Sequence, residues 1–219
     1  MISSVIFGST AQIAVLTTGQ IRALSTADMQ ALTTAQLAAL TSEQIRALEI
    51  VDLQALSASQ LSQGLTSDQI AALTTTQLVA MSTTQIAALT TFQINSGLST
   101  DQVAALTTGQ IAALTTAQIR NGLATQQVVA LGSQQLQAIK TAQIQALTTA
   151  QIGALGTNEV AALKTGQLAA LTTVQVSGGL RTDQVAALAT HQIQALTTLQ
   201  IQALTSNQVA AIETMDIAA

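Results

Sequence analysis

The sequence predicts an all-α fold, a solenoid or superhelix of very short helices with one helix in each eight-residue repeat. Three observations carry that prediction. A near-identical octapeptide recurs from Ser9 to the end of the chain, two positions of it are apolar in every copy, and most copies carry the signature of a helix start. Self-similarity at a fixed short period is the mark of an architecture in which each unit buries its apolar face only against its neighbours.

The first element is "MISSVIFG", residues 1–8, an apolar stretch outside the repeat that reads as a cap or docking segment. It lacks the basic leader and long apolar core of a secretory signal, so an exported protein would carry its signal elsewhere. Residues 9–219 then read as a single octapeptide-repeat solenoid of 26 units, from STAQIAVL (9–16) and TTGQIRAL (17–24) to the truncated ETMDIAA (213–219). With the unit numbered 1 to 8, position 5 is always Ile, Leu, Val or Met. Position 8 is Leu except at Met81, Ile139 and Ile212, and position 7 is nearly always Ala. All 16 charged residues fall at positions 1, 3, 4 and 6. The expected buried positions are therefore 5, 7 and 8.

One continuous helix would not keep the apolar positions together. Eight residues at 100° each leave the apolar stripe rotated by about 80° per repeat. A strand would send positions 5 and 8 to opposite faces, and Ala, Leu and Gln favour helix. A short helix resolves both difficulties. Thr or Ser at position 1 serves as N-cap and Gln at position 4 returns the hydrogen bond, a capping box. The preceding position-8 Leu and the position-5 residue form a hydrophobic staple. Position 2 is Thr or Ser in 24 units and position 1 in only 17, so the cap at position 2, or a position-2 hydroxyl facing a neighbouring coil, stays open as an alternative. Helices this short do not persist alone, so neighbouring coils must hold them.

Four units have nine residues: 57–65, 90–98, 115–123 and 172–180, each with a glycine before its final Leu (Gly64, Gly97, Gly122 and Gly179). A glycine at that place is expected to enter the left-handed conformation and close the last turn. In three of the four cases the next unit carries Asp at position 3 (Asp68, Asp101 and Asp183), where an acid suits the first helical turn. The pair reads as one corner motif, "GLxTD".

Composition bounds the chemistry. Hydrophobic residues make up 48% and charged residues 7%, with a net charge of −4, so the chain should fold rather than stay disordered. No stretch approaches the 18 apolar residues of a membrane-spanning helix, because Thr and Gln return every few positions. Without Cys there is no disulfide framework or thiolate metal site. Six basic residues spread over the chain and an aromatic content of 1% argue against nucleic acid as a partner.

No residue reads as catalytic, cofactor-binding or metal-ligating, and no cofactor is implied. His191, the single histidine, stands at variable position 3 with no base or nucleophile constellation around it. Asp28, Asp52, Glu159 and Asp216 replace Gln at position 4 and take its capping role rather than a metal. Phe92, Val174, Leu199 and Met215 occupy outward position 3, where on a regular surface they would mark lateral contacts. The remaining surface is a nearly neutral field of Thr, Gln and Ala, with little charge repulsion to oppose self-association.

The "LTTxQIxAL" units resemble octapeptide stretches of large bacterial secreted or cell-surface repeat proteins. The resemblance covers residues 9–219 and implies a stalk, spacer or adhesin-like role outside the cell, with no site residues. The resulting expectation is a non-enzymatic structural repeat protein that forms a rod, stalk or self-assembling filament at or outside a bacterial cell surface, with copies of itself as partner. The alternative is a binding module that presents a regular Thr/Gln/Ala face to a carbohydrate, a mineral or ice.

Overall fold

The computed structural model describes residues 8–212. The 1–8 segment apart from Gly8, and the last unit with Met215 and Asp216, lie outside the described residues. The chain divides into two compact units, Met1–Leu114 and Thr115–Ala219, and both are built in the same way.

Each repeat forms one helix of about a turn and a half, such as Thr10–Ala14, Thr83–Ala88 and Thr198–Ala203. Among the described residues there is no strand. The helix starts where position 1 is extended (Ser82, φ −66°, ψ 158°) and ends where position 8 is extended again (Leu89, φ −60°, ψ 141°). These two successive extended residues turn the chain into the next helix. The N-cap is position 1, not position 2: the Ser82 hydroxyl accepts the Gln85 N–H at 3.1 Å while the Gln85 Oε1 accepts the Ser82 N–H at 3.0 Å. Where position 1 is Ala124, Gly132, Lys140, Lys164, Arg181 or Ala189, only the second of these bonds remains.

Within each compact unit helices pack on those three repeats before or after them. Thr18–Arg22 lies on Ser42–Ala47, and Thr149–Ala154 on Thr173–Gly179. Three repeats therefore make one coil, and the sides of successive coils stack. Position 5 points between coils and is sealed from water, as at Ile45, Ile86, Val103 and Val176, while position 8 closes the coil centre, as at Leu48, Leu89 and Leu180. Position 7 differs from expectation. Ala47 and Ala72 are buried, but most position-7 alanines are half-buried or exposed, and the third buried position is instead Gln at position 4.

A Cβ placed on Gly109 would sit 3.8 Å from the Thr83 Cγ2, three repeats earlier, yet Thr83, like most position-2 residues, is exposed. The uniformity of position 2 has no explanation in burial.

The nine-residue units also depart from expectation. No described glycine has a positive φ. The extra residue widens the helix into a π turn, Gln60–Gly64, Gln93–Gly97 and Gln118–Gly122. In the fourth, Thr173–Gly179, the same widening shows as Leu180 N–H donating to the Gln175 carbonyl at 3.0 Å, five residues back. At Gly64 and Gly97 glycine is required by close packing, not by backbone handedness, whereas a Cβ on Gly179 would meet nothing nearer than 3.4 Å. A Cβ on Gly64 would lie 3.2 Å from the Thr34 Cα, and one on Gly97 would lie 2.9 Å from the Ser67 carbonyl oxygen. The widened turn swings its glycine onto the helix of the coil before.

This contrast is testable. Gly97→Ala should destabilise the protein by about 1–3 kcal/mol in chemical unfolding, because backbone must shift to admit the methyl. Gly109→Ala, in a helix interior with only ordinary contacts, should stabilise by about 0.5–1 kcal/mol.

Candidate functional site

The feature that recurs along both compact units, from Gln36 onward, is a buried glutamine seam. The Gln85 Nε2 donates to the carbonyls of Leu53 (3.0 Å), Gln54 (3.1 Å) and Leu56 (3.0 Å). These are carbonyls at the C-terminal end of the helix four repeats earlier, where a helix runs out of its own N–H donors; of them Leu53 also accepts the Leu56 N–H at 3.2 Å. The reach is four repeats rather than three for a geometric reason. The start of each helix lies over the start of the helix three repeats before, and that start abuts the end of the helix preceding it. Gln44 meets Leu16 in this way, Gln60 Leu32, Gln69 Leu40 and Gln110 Met81. In the second compact unit Gln151 meets Leu123, Gln184 Leu155 and Gln208 Leu180. One amide therefore caps the start of its own helix through Oε1 and the end of another through Nε2. Because Oε1 faces an N–H and Nε2 faces carbonyls, the orientation of the amide is fixed.

The seam has exceptions where an acid stands at position 4. Asp28 keeps the cap, accepting from the Ser25 N–H at 2.9 Å and the Ser25 hydroxyl at 2.8 Å. Asp52 does not form a box, since Glu49 holds position 1 without a side-chain cap. Asp52 is nonetheless 2% exposed, and among the described residues no side-chain amide reaches the Leu24 carbonyl that a glutamine there would meet. Burial, then the nearby Glu49 and Asp28 charges, push its carboxyl above the usual carboxylate range. The expected capping role thus holds for Asp28 and fails for Asp52. Glu159 follows Gly156, which also has no capping side chain.

The remaining sequence candidates do not converge. His191 is exposed on the short helix Thr190–Ile193. Phe92, Val174 and Leu199 are exposed on separate helices. Asp68 and Asp101 lie exposed in first turns, and Asp183 meets Arg181, whose guanidinium donates to it at 3.0 Å and holds its carboxyl below the ordinary value. Among the described residues no group of three His, Cys, Asp or Glu side chains is placed to hold a metal, and no helix is long and apolar enough to cross a membrane. Open grooves run between stacked helices. One is lined by Lys140, Thr141, Lys164 and Thr165, another by Ile50, Val79 and Ala105. Sequence reasoning placed Gln at a cap and missed its second half, the bond to the previous coil.

The coils and their seam define an all-α tandem-repeat protein whose helices are stitched by side-chain amides. The chain belongs to the ALTTAQ repeat family: the family model matches residues 13–50, 45–83, 65–96, 75–108, 96–116, 128–165, 152–190 and 178–214. No curated protein matches the chain.

Two substitutions test the seam. Gln85→Leu removes the acceptor of the Ser82 N–H and the side-chain donor to the buried Leu53, Gln54 and Leu56 carbonyls, of which Leu53 keeps only the Leu56 N–H. It should cost about 2–5 kcal/mol in equilibrium unfolding. Asp52→Gln should act oppositely, by about 1–3 kcal/mol at neutral pH, through a new donor to the Leu24 carbonyl and the loss of a buried charge. Its pH signature follows from the raised carboxyl. The native protein binds that proton more tightly than the unfolded chain, so the site favours folding most below the ordinary carboxylate pKa and loses that advantage as pH rises through the raised value. Thermal melts across the acid range should show this falling limb in the native protein and a flatter one in Asp52→Gln.

Proposed function

We propose that this structural repeat protein is a rod-like stalk or spacer that self-assembles into filaments at or outside a bacterial cell surface. The observation that carries the reading is the coil-on-coil seam, which adds one repeat at a time with the same bonds and has no built-in stop. A largely neutral Thr, Gln and Ala surface supports association rather than repulsion between copies. The placement outside the cell rests on the resemblance of the octapeptide to secreted and surface repeat proteins.

The alternative, a Thr/Gln/Ala face for a carbohydrate, mineral or ice, takes second place. The position-1 hydroxyls accept helix N–H groups and the position-4 amides are buried, so two of the three polar positions that would build the face are committed internally.

Small-angle scattering and negative-stain images over a concentration series test the proposal. Elongated particles that lengthen with concentration are expected. Compact particles of constant size at every concentration would overturn it.

A further inference from the structure

One repeat of the second compact unit, residues 156–163, lacks several of the bonds that hold its neighbours. Gly156 at position 1 has no hydroxyl to accept a helix N–H, and no capping box forms on the helix Thr157–Ala161. Glu159 stands where the seam glutamine would be, and its carboxylate lies back against Gly156, in the space a Cβ would take there. The repeats on either side keep the seam, Gln151 donating to the Leu123 carbonyl at 2.7 Å and Gln167 to that of Ile139 at 2.8 Å. In the same register, among the described residues no side-chain amide reaches the Leu131 carbonyl. The core position is Val160, a methylene short of the Ile152 and Leu168 of those neighbours. The helix has five residues where Thr149–Ala154 and Thr165–Ala170 have six. It packs on Thr182–Ala186, three repeats on, which is also five residues long, with Arg181 and Val185 at the cap and core positions. Repeat 49–56 of the first unit likewise has an acid at position 4 and no capping hydroxyl. It keeps Leu53, a six-residue helix and a bond from the Gln54 Nε2 to the Ala80 carbonyl at 2.6 Å.

We infer that repeat 156–163 is a yield point, the place where the second unit opens first while the repeats next to it in the chain stay coiled. In a solenoid the stability of a repeat is set by its own bonds and those to its neighbours, and opening free energies vary along the chain accordingly. Here a capping hydroxyl, an amide between coils and a core methylene are missing together. The adjacent repeats are held by seam bonds that do not pass through it, Gln151 to Leu123 before it and Gln167 to Leu136 and Ile139 after it. Eight residues released from the coil reach at most about 26–29 Å, so opening here gives a chain under tension slack at one defined place. That use under tension rests on the stalk reading, whereas the order of opening rests on the bonds alone.

The chain carries its own control for the test. Lys164 directly follows the weak repeat, and Lys140 holds the same position on Thr141–Ala146, the helix that Thr165–Ala170 packs on. Both lysines are exposed and both are followed by Thr, so trypsin meets like bonds in unlike surroundings. Limited digestion of the full chain, read by mass spectrometry, should cut after Lys164 about tenfold or more faster than after Lys140, since cleavage follows the population of the opened form. Hydrogen exchange should likewise be faster in 156–163 than in 132–139. Gly156→Thr with Glu159→Gln writes back the box and the amide, as at Thr148 and Gln151, and should slow cleavage after Lys164 to about the Lys140 rate. Equal rates in the native chain would overturn the yield point, and so would an undiminished preference for Lys164 in the double variant. Either result leaves the stalk reading standing, because that reading falls only on the particle shapes of the concentration series.

Discussion

The structure depends on one side-chain amide meeting two backbone needs at once. A helix of five or six residues is nearly all terminus, so almost every N–H and carbonyl it contains lacks a partner within the helix. Left to water, such a helix would not form. The position-4 glutamine takes the N-cap N–H of its own helix and the terminal carbonyls of the helix four repeats earlier, as Gln85 does with Ser82, Leu53 and Leu56. The same bond that starts one helix finishes another and holds two coils together. Without it the Ile and Leu core would have no fixed register along which to stack.

Other features follow from the space this arrangement leaves. Burying an amide row at the corners brings the sides of the coils close together, closest at Gly64 and Gly97. A π turn lengthens one side of a coil by a residue without losing its helix. Where that side rests on the Cα and Cβ atoms below, as Gly64 rests on Thr34 and Leu37, the residue has to be glycine. The acids at position 4 show the constraint by breaking it. An aspartate accepts but does not donate when ionised, so Asp52 occupies the slot and leaves the carbonyls it faces without a side-chain donor.

Most of the fold was legible from residues. The octapeptide, its staple positions and its Thr-x-x-Gln box specify a short capped helix, and the inability of such helices to stand alone specifies stacking. The buried amide was not foreseen, because a capping box explains Gln at position 4 by itself. The signal was nevertheless present. A capping box accepts Glu as readily as Gln, yet Glu occurs at position 4 once, at Glu159, against Gln in 22 units. Only a role needing a donor as well as an acceptor accounts for that bias. The glycines were misread for a comparable reason: a lone Gly before a helix end has two physical uses, backbone handedness and close approach, and the sequence does not say which atom lies above it. Three repeats per coil was hidden as well, because the octapeptide records the contacts a unit makes and not the turning angle between units.

A ladder with one donor and one acceptor end per repeat has a consequence for cooperativity. A coil bonded on both sides is held by two sets of amides, so in a nearest-neighbour chain its stability depends on both neighbours. Burial records this dependence. Position 5 is fully sealed from Ile21 to Val176, half-buried at Ile193, and exposed at Ile201 and Val209. At the opposite end it is the glutamines that emerge, first Gln20 and then Gln12, while Ile13 stays buried. The first and last described coils therefore differ in opposite senses, amides emerging at one and position-5 side chains at the other, as a ladder whose bonds all run one way requires.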